Sequence, residues 1–189
     1  MTPAATGRLA RAAGAVFVAV LVVLAWRSMV GGAGSPVPIA PGTELLSVQP
    51  DEVMSFVYSA GTLNVNAHRV QSAAPFSVRV TFDGRVSRQC VAPPGLADRL
   101  APLTTLIVRG SVPVAELATA FPTPLGTLEM RDRIASEPLP TLVFRGAADT
   151  DPVAVTGLPG AGGRAIVVDP AARAALALLA GGCDTLAQR

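Results

Sequence analysis

Few residues of this chain have the types and spacing that catalysis or metal binding would need. His68 is the only histidine, and Cys90 and Cys183 are the only cysteines. His68 has the opposite parity to Val65 and Ala67, which predicts a place on the solvent face of a strand. The single histidine and the widely separated cysteines match no zinc or haem spacing, and no serine stands in a G-x-S-x-G motif. The sequence therefore predicts no catalytic residue, no metal ligand and no cofactor.

Two further segments resemble functional motifs but have simpler interpretations. Residues 157–164 (GLPGAGGR) are rich in glycine, as phosphate-binding loops are, but they lack the lysine and Ser/Thr of a P-loop and precede a strand. They are predicted to form a flexible hairpin loop. Residues 128–133 (LEMRDR) alternate acidic and basic side chains, which is typical of a solvated strand edge.

The two cysteines allow two interpretations. Both follow the apolar N-terminal segment, in the part of the chain that we expect to be exported, and disulfides persist in oxidising compartments. A Cys90–Cys183 disulfide is therefore favoured. The alternative is two separately buried thiols, which behave as small apolar residues.

An apolar segment at residues 12–30 (AAGAVFVAVLVVLAWRSMV) predicts a transmembrane signal-anchor, because a helix of this length can cross a hydrocarbon core. Its one charge, Arg27, lies near the end. Arg8 and Arg11 precede it, so residues 1–11 are expected to be cytoplasmic and the rest exported. The chain is thus expected to be anchored in a membrane, with its domain on the far side. A cleaved secretory signal is the alternative.

The exported part is predicted to have an α+β fold. Residues 31–42, rich in proline and glycine, are expected to be a tether, and residues 43–189 one β-rich domain. Alternating apolar positions predict strands over 52–58, 63–67 and 76–82, and Asp83-Gly84 predicts a hairpin turn into a strand over 85–91.

The second half continues the pattern with strands predicted at 106–110, 127–130, 141–144, 153–156 and 165–168, and short helices at 96–100, 114–121 and 171–179. The two halves share a strand followed by proline and a Leu/Ala-rich helix. We therefore expect two modules, each made of three strands and a helix.

Composition argues against a nucleic-acid partner. All fifteen basic residues are arginines, mostly isolated along the chain, and the formal net charge is +2. Aromatic residues make up 4% of the sequence, so neither a basic stripe nor a series of stacking platforms is present.

The order of segments resembles domain-of-unknown-function family 4340 of bacterial envelope proteins. The resemblance begins at ELLSVQPDEVMSFVYSAGTLNV, continues through LADRLAPLTTLIVRG, ATAFPTPLGTLEMRD and TLVFRG, and ends at AIVVDPAARAALALL, covering residues 43–179. A family tryptophan is replaced here by Phe76-Ser77-Val78. The resemblance implies an anchored, outward-facing β-rich module, found beside ABC-type transporters, and assigns no functional residue. It places the predicted anchor in a bacterial inner membrane, with the domain periplasmic or extracellular.

Together these observations predict a non-enzymatic, single-pass envelope protein that serves as a binding or assembly module of a membrane complex. Its expected partners are the lipid bilayer and other subunits of that complex, with ABC-type transporter components as candidates. The alternatives are a structural accessory subunit packed into a larger membrane complex and a secreted enzyme without a recognisable motif.

Overall fold

The chain folds mainly into β-strands joined by tight turns, as its alternating apolar positions predict. The structure, a computed structural model, describes residues 39–132, 139–147 and 152–188. The strands, in chain order, are β1 (Glu44–Ser47), β2 (Val53–Ala60), β3 (Leu63–His68), β4 (Phe76–Phe82), β5 (Arg85–Ala92), β6 (Thr105–Ile107), β7 (Gly110–Pro113), β8 (Thr123–Asp132), β9 (Leu142–Gly146), β10 (Val153–Thr156) and β11 (Arg164–Val168). The helices are α1 (Leu96–Arg99), α2 (Ala101–Thr104), α3 (Val114–Ala120), α4 (Ala171–Ala180) and α5 (Cys183–Leu186).

Nine strands form one open antiparallel sheet in the order β5-β4-β3-β2-β8-β9-β10-β11-β7, and β1 pairs with β6 in a separate ribbon. Strands β2 to β5 are consecutive neighbours, and so are β8 to β11. Each of these four-stranded meanders is followed by a helical segment, α1 and α2 after the first and α4 after the second. The domain is therefore β-rich with a few short helices, which confirms the coarse fold prediction. Each meander has four strands, whereas three were predicted for each module.

The main hydrophobic core lies between one face of the sheet and the helices. Phe56, Val65 and Val78 on adjacent strands pack in one cluster with Leu103 of α2 and Leu179 of α4. Because successive side chains of a strand point to opposite faces, the other face of these strands is left to polar residues. That second face is covered at one end, where Leu117 of α3 packs with Ala154 and Ala165.

The local turn signals proved reliable. Asp83 and Gly84 both have positive φ, 49° and 73°, as a two-residue hairpin turn needs. Strands β4 and β10 have the predicted bounds, and the cysteine-bearing strand β5 ends one residue later than expected.

Other elements differ from the prediction because strands from distant parts of the chain pair with them. The single strand predicted at 106–110 is two strands, β6 and β7, which belong to different sheets. Strand β8 begins at Thr123 rather than 127 and contains Pro124. Pro124 pairs with Arg145 of β9, while pairing with β2 extends only to Thr127, so the missing N–H of Pro124 faces no β2 partner. The short helices α2 and α5 were not predicted.

The glycine-rich segment joins the antiparallel strands β10 and β11, so the predicted hairpin is confirmed. Leu158 and Ala161 within it are buried, which ties the loop to the core. Gly157 has a φ of +92°, and a Cβ atom there would lie 2.0 Å from the carbonyl oxygen of Thr141. Only glycine fits this approach of two backbones.

The first described residues, 39–42, contact the folded domain. Ile39 packs against the main core, and the N–H of Gly42 donates to the carbonyl of Val108 at 2.7 Å. The last residues of the segment predicted as a tether thus belong to the folded domain. Within the described ranges, no helix is both long enough and apolar enough to cross a membrane. The predicted signal-anchor at 12–30 lies outside those ranges.

The start of α4 contains an exposed carboxylate with two donors. Asp169, just before the helix, accepts a hydrogen bond from the N–H of Ala171 at 3.0 Å and another from Arg109 at 2.8 Å. The backbone hydrogen bond, followed by that from Arg109, lowers the pKa of Asp169.

We therefore predict that Asp169→Asn flattens the acid limb of the stability profile. A lowered folded-state pKa contributes stability that is fully present above the unfolded value of about 3.9 and is lost as pH falls through the folded value. Urea unfolding at pH 2 to 6 should show a smaller loss in the variant than in the wild type. Glu52→Gln, in the turn before β2, is the control. Equal acid slopes in wild type and Asp169→Asn would contradict the prediction.

Candidate functional site

The outward face of strands β2, β3, β4, β5 and β8 displays mostly polar side chains, interrupted by Val57 and Val91, and we call it the polar face. Two rows cross these strands in register. The first row is Gln89, Arg79, Asn66, Val57 and Glu129. The second row is Val91, Ser77, His68, Ser55 and Arg131.

Local sequence explains why these side chains point outward. On β3, Val65 and Ala67 have no exposed surface, so the intervening Asn64, Asn66 and His68 lie on the opposite face. Strand β4 repeats the pattern, with Phe76, Val78 and Val80 buried and Ser77 and Arg79 exposed. Adjacent strands lie about 4.8 Å apart, so each row spans roughly 20 Å.

Two clefts lie on the polar face and meet at Asn66. One, of about 280 Å³, is lined by side chains of His68, Ser77, Arg79 and Gln89. The other, of about 360 Å³, lies over Ser55, Val57, Glu129 and Arg131 and is bounded by Leu139 and Thr141. The polar face thus offers concave surface as well as hydrogen-bonding groups.

The polar groups near the β8 end are partly engaged with one another. Asn64 donates to the hydroxyl of Ser59 at 2.8 Å, and Thr141 donates to the carboxylate of Glu129 at 3.4 Å. In the 280 Å³ cleft the lining side chains include Arg79 and no carboxylate. This part of the polar face therefore favours acceptor groups and negative charge on whatever binds there.

His68 and the charged residues of the 128–133 segment that the structure describes lie on or beside the polar face. His68 is exposed on the polar face, as predicted, between its cross-strand partners Ser55 and Ser77. Among the described residues, no hydrogen bond joins His68 to either serine, and no group of three metal-ligating side chains occurs. Glu129 and Arg131 lie on β8 of the same face, whereas Arg133 is outside the described ranges.

Cys90 and Cys183 lie together at the edge of the sheet formed by β5. Cys90 is on β5 and Cys183 begins α5, and the structure pairs them as a disulfide with their Cα atoms 5.8 Å apart. The neighbouring residues Arg88 and Asp184 form an ion pair across the same contact. The edge strand is thus fastened to the last helix.

Asn64, Asn66, Arg79 and Gln89 did not stand out in the sequence. For Asn64, Asn66 and Arg79, the signal that could have identified them is the alternation of polar and buried residues along β3 and β4. Finding the site also required the order of the strands, because β8 joins β2 from far along the chain.

Comparison with known proteins adds no assignment. No protein-family model, curated protein or solved structure matches the chain. The resemblance of residues 43–179 to domain-of-unknown-function family 4340 stays a prediction and gives no role to any residue on the polar face.

Proposed function

We propose that this chain is a non-enzymatic, single-pass membrane-anchored envelope protein whose exported domain is a binding or assembly module of a membrane complex. The observation that carries the binding role is the polar face. Five adjacent strands present hydrogen-bonding side chains and two clefts there, while the opposite face of the same sheet is buried against helices.

The anchoring part of the proposal is supported by the sequence and by the cysteines. Residues 12–30 are apolar and follow two arginines, which favours a membrane helix with the domain outside. A Cys90–Cys183 disulfide suits an oxidising compartment. The proposed architecture is therefore a transmembrane helix followed by two related strand and helix modules, each with one of the two four-stranded meanders.

The non-enzymatic part is supported by the chemistry of the polar face. His68 has the hydroxyl neighbours Ser55 and Ser77, but neither forms a hydrogen bond that orients its ring, and a general base needs such an orienting partner. The face is suited to recognition through many hydrogen bonds rather than to covalent chemistry. Other subunits of the membrane complex are the proposed partners, with ABC-type transporter components the first to test.

Site-specific photo-crosslinking in living cells tests the binding role. A photoreactive amino acid replaces Asn66, where the two clefts meet, in the full-length protein, and the control replaces Glu116, exposed on α3. We expect Asn66 to crosslink to an integral membrane protein that the Glu116 control does not capture. Identical products from both positions, or none from Asn66, would overturn the proposal.

A second test concerns His68. Because the residue is exposed and the proposed module needs no base, His68→Ala should change the free energy of unfolding by less than about 0.5 kcal/mol. It should also leave the Asn66 crosslink in place. Loss of the Asn66 crosslink from this change alone, with the protein still folded, would contradict this prediction and favour an enzyme or a metal site.

A further inference from the structure

The two edges of the nine-stranded sheet differ in how open they are. Strand β7 at one edge has four half-buried residues, ends at Pro113 and leads directly into α3. Strand β5 at the other edge has eight residues, and all are exposed except Cys90 and Ala92. A long, exposed edge strand can pair with another chain through its backbone.

The backbone of β5 is available for such pairing within the part of the chain that the structure describes. Its ladder runs to β4 alone, and no other backbone hydrogen bond reaches residues 85–92. In an antiparallel pair about half of a strand's N–H and C=O groups point away from its neighbour. The irregularity opposite Val80 and Thr81 interrupts the strand near Ser87, which leaves Arg88 to Ala92 as a regular stretch.

This edge is also held in place. The disulfide of Cys90 and the ion pair of Arg88 attach β5 to α5. A strand that is already extended and fixed loses little conformational freedom when it binds, which favours association.

The side chains around the edge define the partner. Val91 and Val86 are 64% and 54% exposed, although valine in a monomer is usually covered. Strands β4 and β5 carry Arg79, Arg85 and Arg88 and no acidic residue. Asp184 pairs with Arg88, and Asp83 lies in the turn two residues before Arg85, so the three arginines outnumber the two aspartates by one and the edge keeps a net positive charge.

We propose that β5 is a strand-addition site for an extended, acidic segment of a partner protein, which adds to the sheet as a tenth strand. Residues of the segment beside Val91 are apolar, and those on the alternate face, beside Arg85, are acidic. Backbone hydrogen bonds supply the pairing, and these side chains select the sequence. The site adjoins the polar face, with which it shares Arg79 and Val91, but its pairing runs along the outward backbone of β5 and does not require binding at Asn66.

A ten-residue peptide of alternating valine and glutamate is the probe, with an alternating valine and lysine peptide as its control. Binding to the full-length protein in detergent is measured by fluorescence anisotropy. We expect the acidic peptide to bind at least about tenfold more tightly, a difference of about 1.4 kcal/mol. Amide exchange at residues 88–91 should slow when it binds, because pairing protects the outward N–H groups.

Two substitutions and one matched control locate the binding. Val91→Asp and Arg85→Glu, both at exposed positions, should each weaken binding of the acidic peptide by about tenfold or more. Val143→Asp, at an exposed valine of the interior strand β9, should leave it unchanged.

Several results would overturn this assignment. Equal affinity for the two peptides, unchanged exchange at 88–91, or full binding by Val91→Asp would each exclude an acidic strand at β5. A wild-type dimer that Val91→Asp converts to a monomer would identify a second copy of the chain as the occupant instead. Each outcome is separate from the Asn66 crosslink, so the strand-addition site can fail while the proposed binding role of the polar face stands.

Discussion

Replacing both cysteines, as Cys90→Ser with Cys183→Ser, is expected to lower the free energy of unfolding by about 4 to 5 kcal/mol. The bridge joins residues 93 positions apart, and in the chain-entropy model closing a loop of that length restricts the unfolded chain by about this amount. Such a loss is a large share of the roughly 5 to 15 kcal/mol that stabilises a typical domain.

The fold makes the C-terminal helices particularly dependent on this bridge. Helix α4 has ten residues and α5 has four, and helices this short rely on tertiary contacts for stability. Leu179 and Leu186 are buried in the main core, so loosening this end exposes apolar surface. We expect the C-terminal helices to exchange their amide protons faster before the whole domain unfolds.

Thermal melting in the presence and absence of reducing agent measures the effect. For a domain of this size, a loss of 4 to 5 kcal/mol corresponds to a drop in Tm on the order of 10 to 20 °C. Reducing agent should lower the wild-type Tm and leave the double variant unchanged. Equal melting of oxidised wild type and the double variant would show that the bridge contributes no stability.

Arg69→Met is the second large effect that we predict, at about 3 kcal/mol of destabilisation. The guanidinium of Arg69 is buried, with 6% of the residue exposed. Its Nε donates to the carbonyl of Val53 and its Nη2 to that of Pro50, both at 2.7 Å, and Nη1 donates to the carbonyl of Ser72. Methionine fills similar space but leaves three acceptors without this donor, at about 1 kcal/mol or more each.

The surroundings of Arg69 act on its charge in opposite directions, with burial the larger effect. Burial lowers its pKa, whereas the nearby Asp51 and Asp98 raise it, and an arginine stays protonated over the ordinary pH range. The guanidinium carbon also lies 4.6 Å from the centroid of the Phe76 ring, a favourable cation–π distance. These contacts fasten the loop after β3 to the turn before β2.

Urea denaturation of three variants tests the role of Arg69. Arg69→Lys keeps the charge but has one compact ammonium in place of a planar fork, so we expect it to recover only part of the loss. Arg79→Met, at an exposed arginine of β4, is the control and should change stability by less than about 0.5 kcal/mol. If Arg69→Met is as stable as this control, the three carbonyl contacts are not stabilising.

The contrast between His68 and Arg69 shows how far the sequence could predict this fold. Alternation with Val65 and Ala67 placed His68 on the solvent face, because strand periodicity is a local property. The adjacent Arg69 gave no local sign that it is buried. Two of its three acceptors, the carbonyls of Pro50 and Val53, come from another segment that only the tertiary fold brings within reach.

The same distinction applies to the candidate site. Local turns and strands were largely predictable, including Asp83-Gly84 and β4. The pairing of β8 with β2 and the split of β6 from β7 depend on contacts between distant segments. The polar face arises from that strand order, so its individual strands could be predicted but their assembly into one surface could not.

Proteolysis of spheroplasts from the outside, followed by mass spectrometry without reduction, tests the proposed exported and anchored domain most directly. We predict that external protease digests residues 43–189, that a short stub containing residues 12–30 stays in the membrane, and that peptides with Cys90 and Cys183 are released as one linked species. A domain that is cut only after the membrane is broken, or two free thiols at Cys90 and Cys183, would contradict the account.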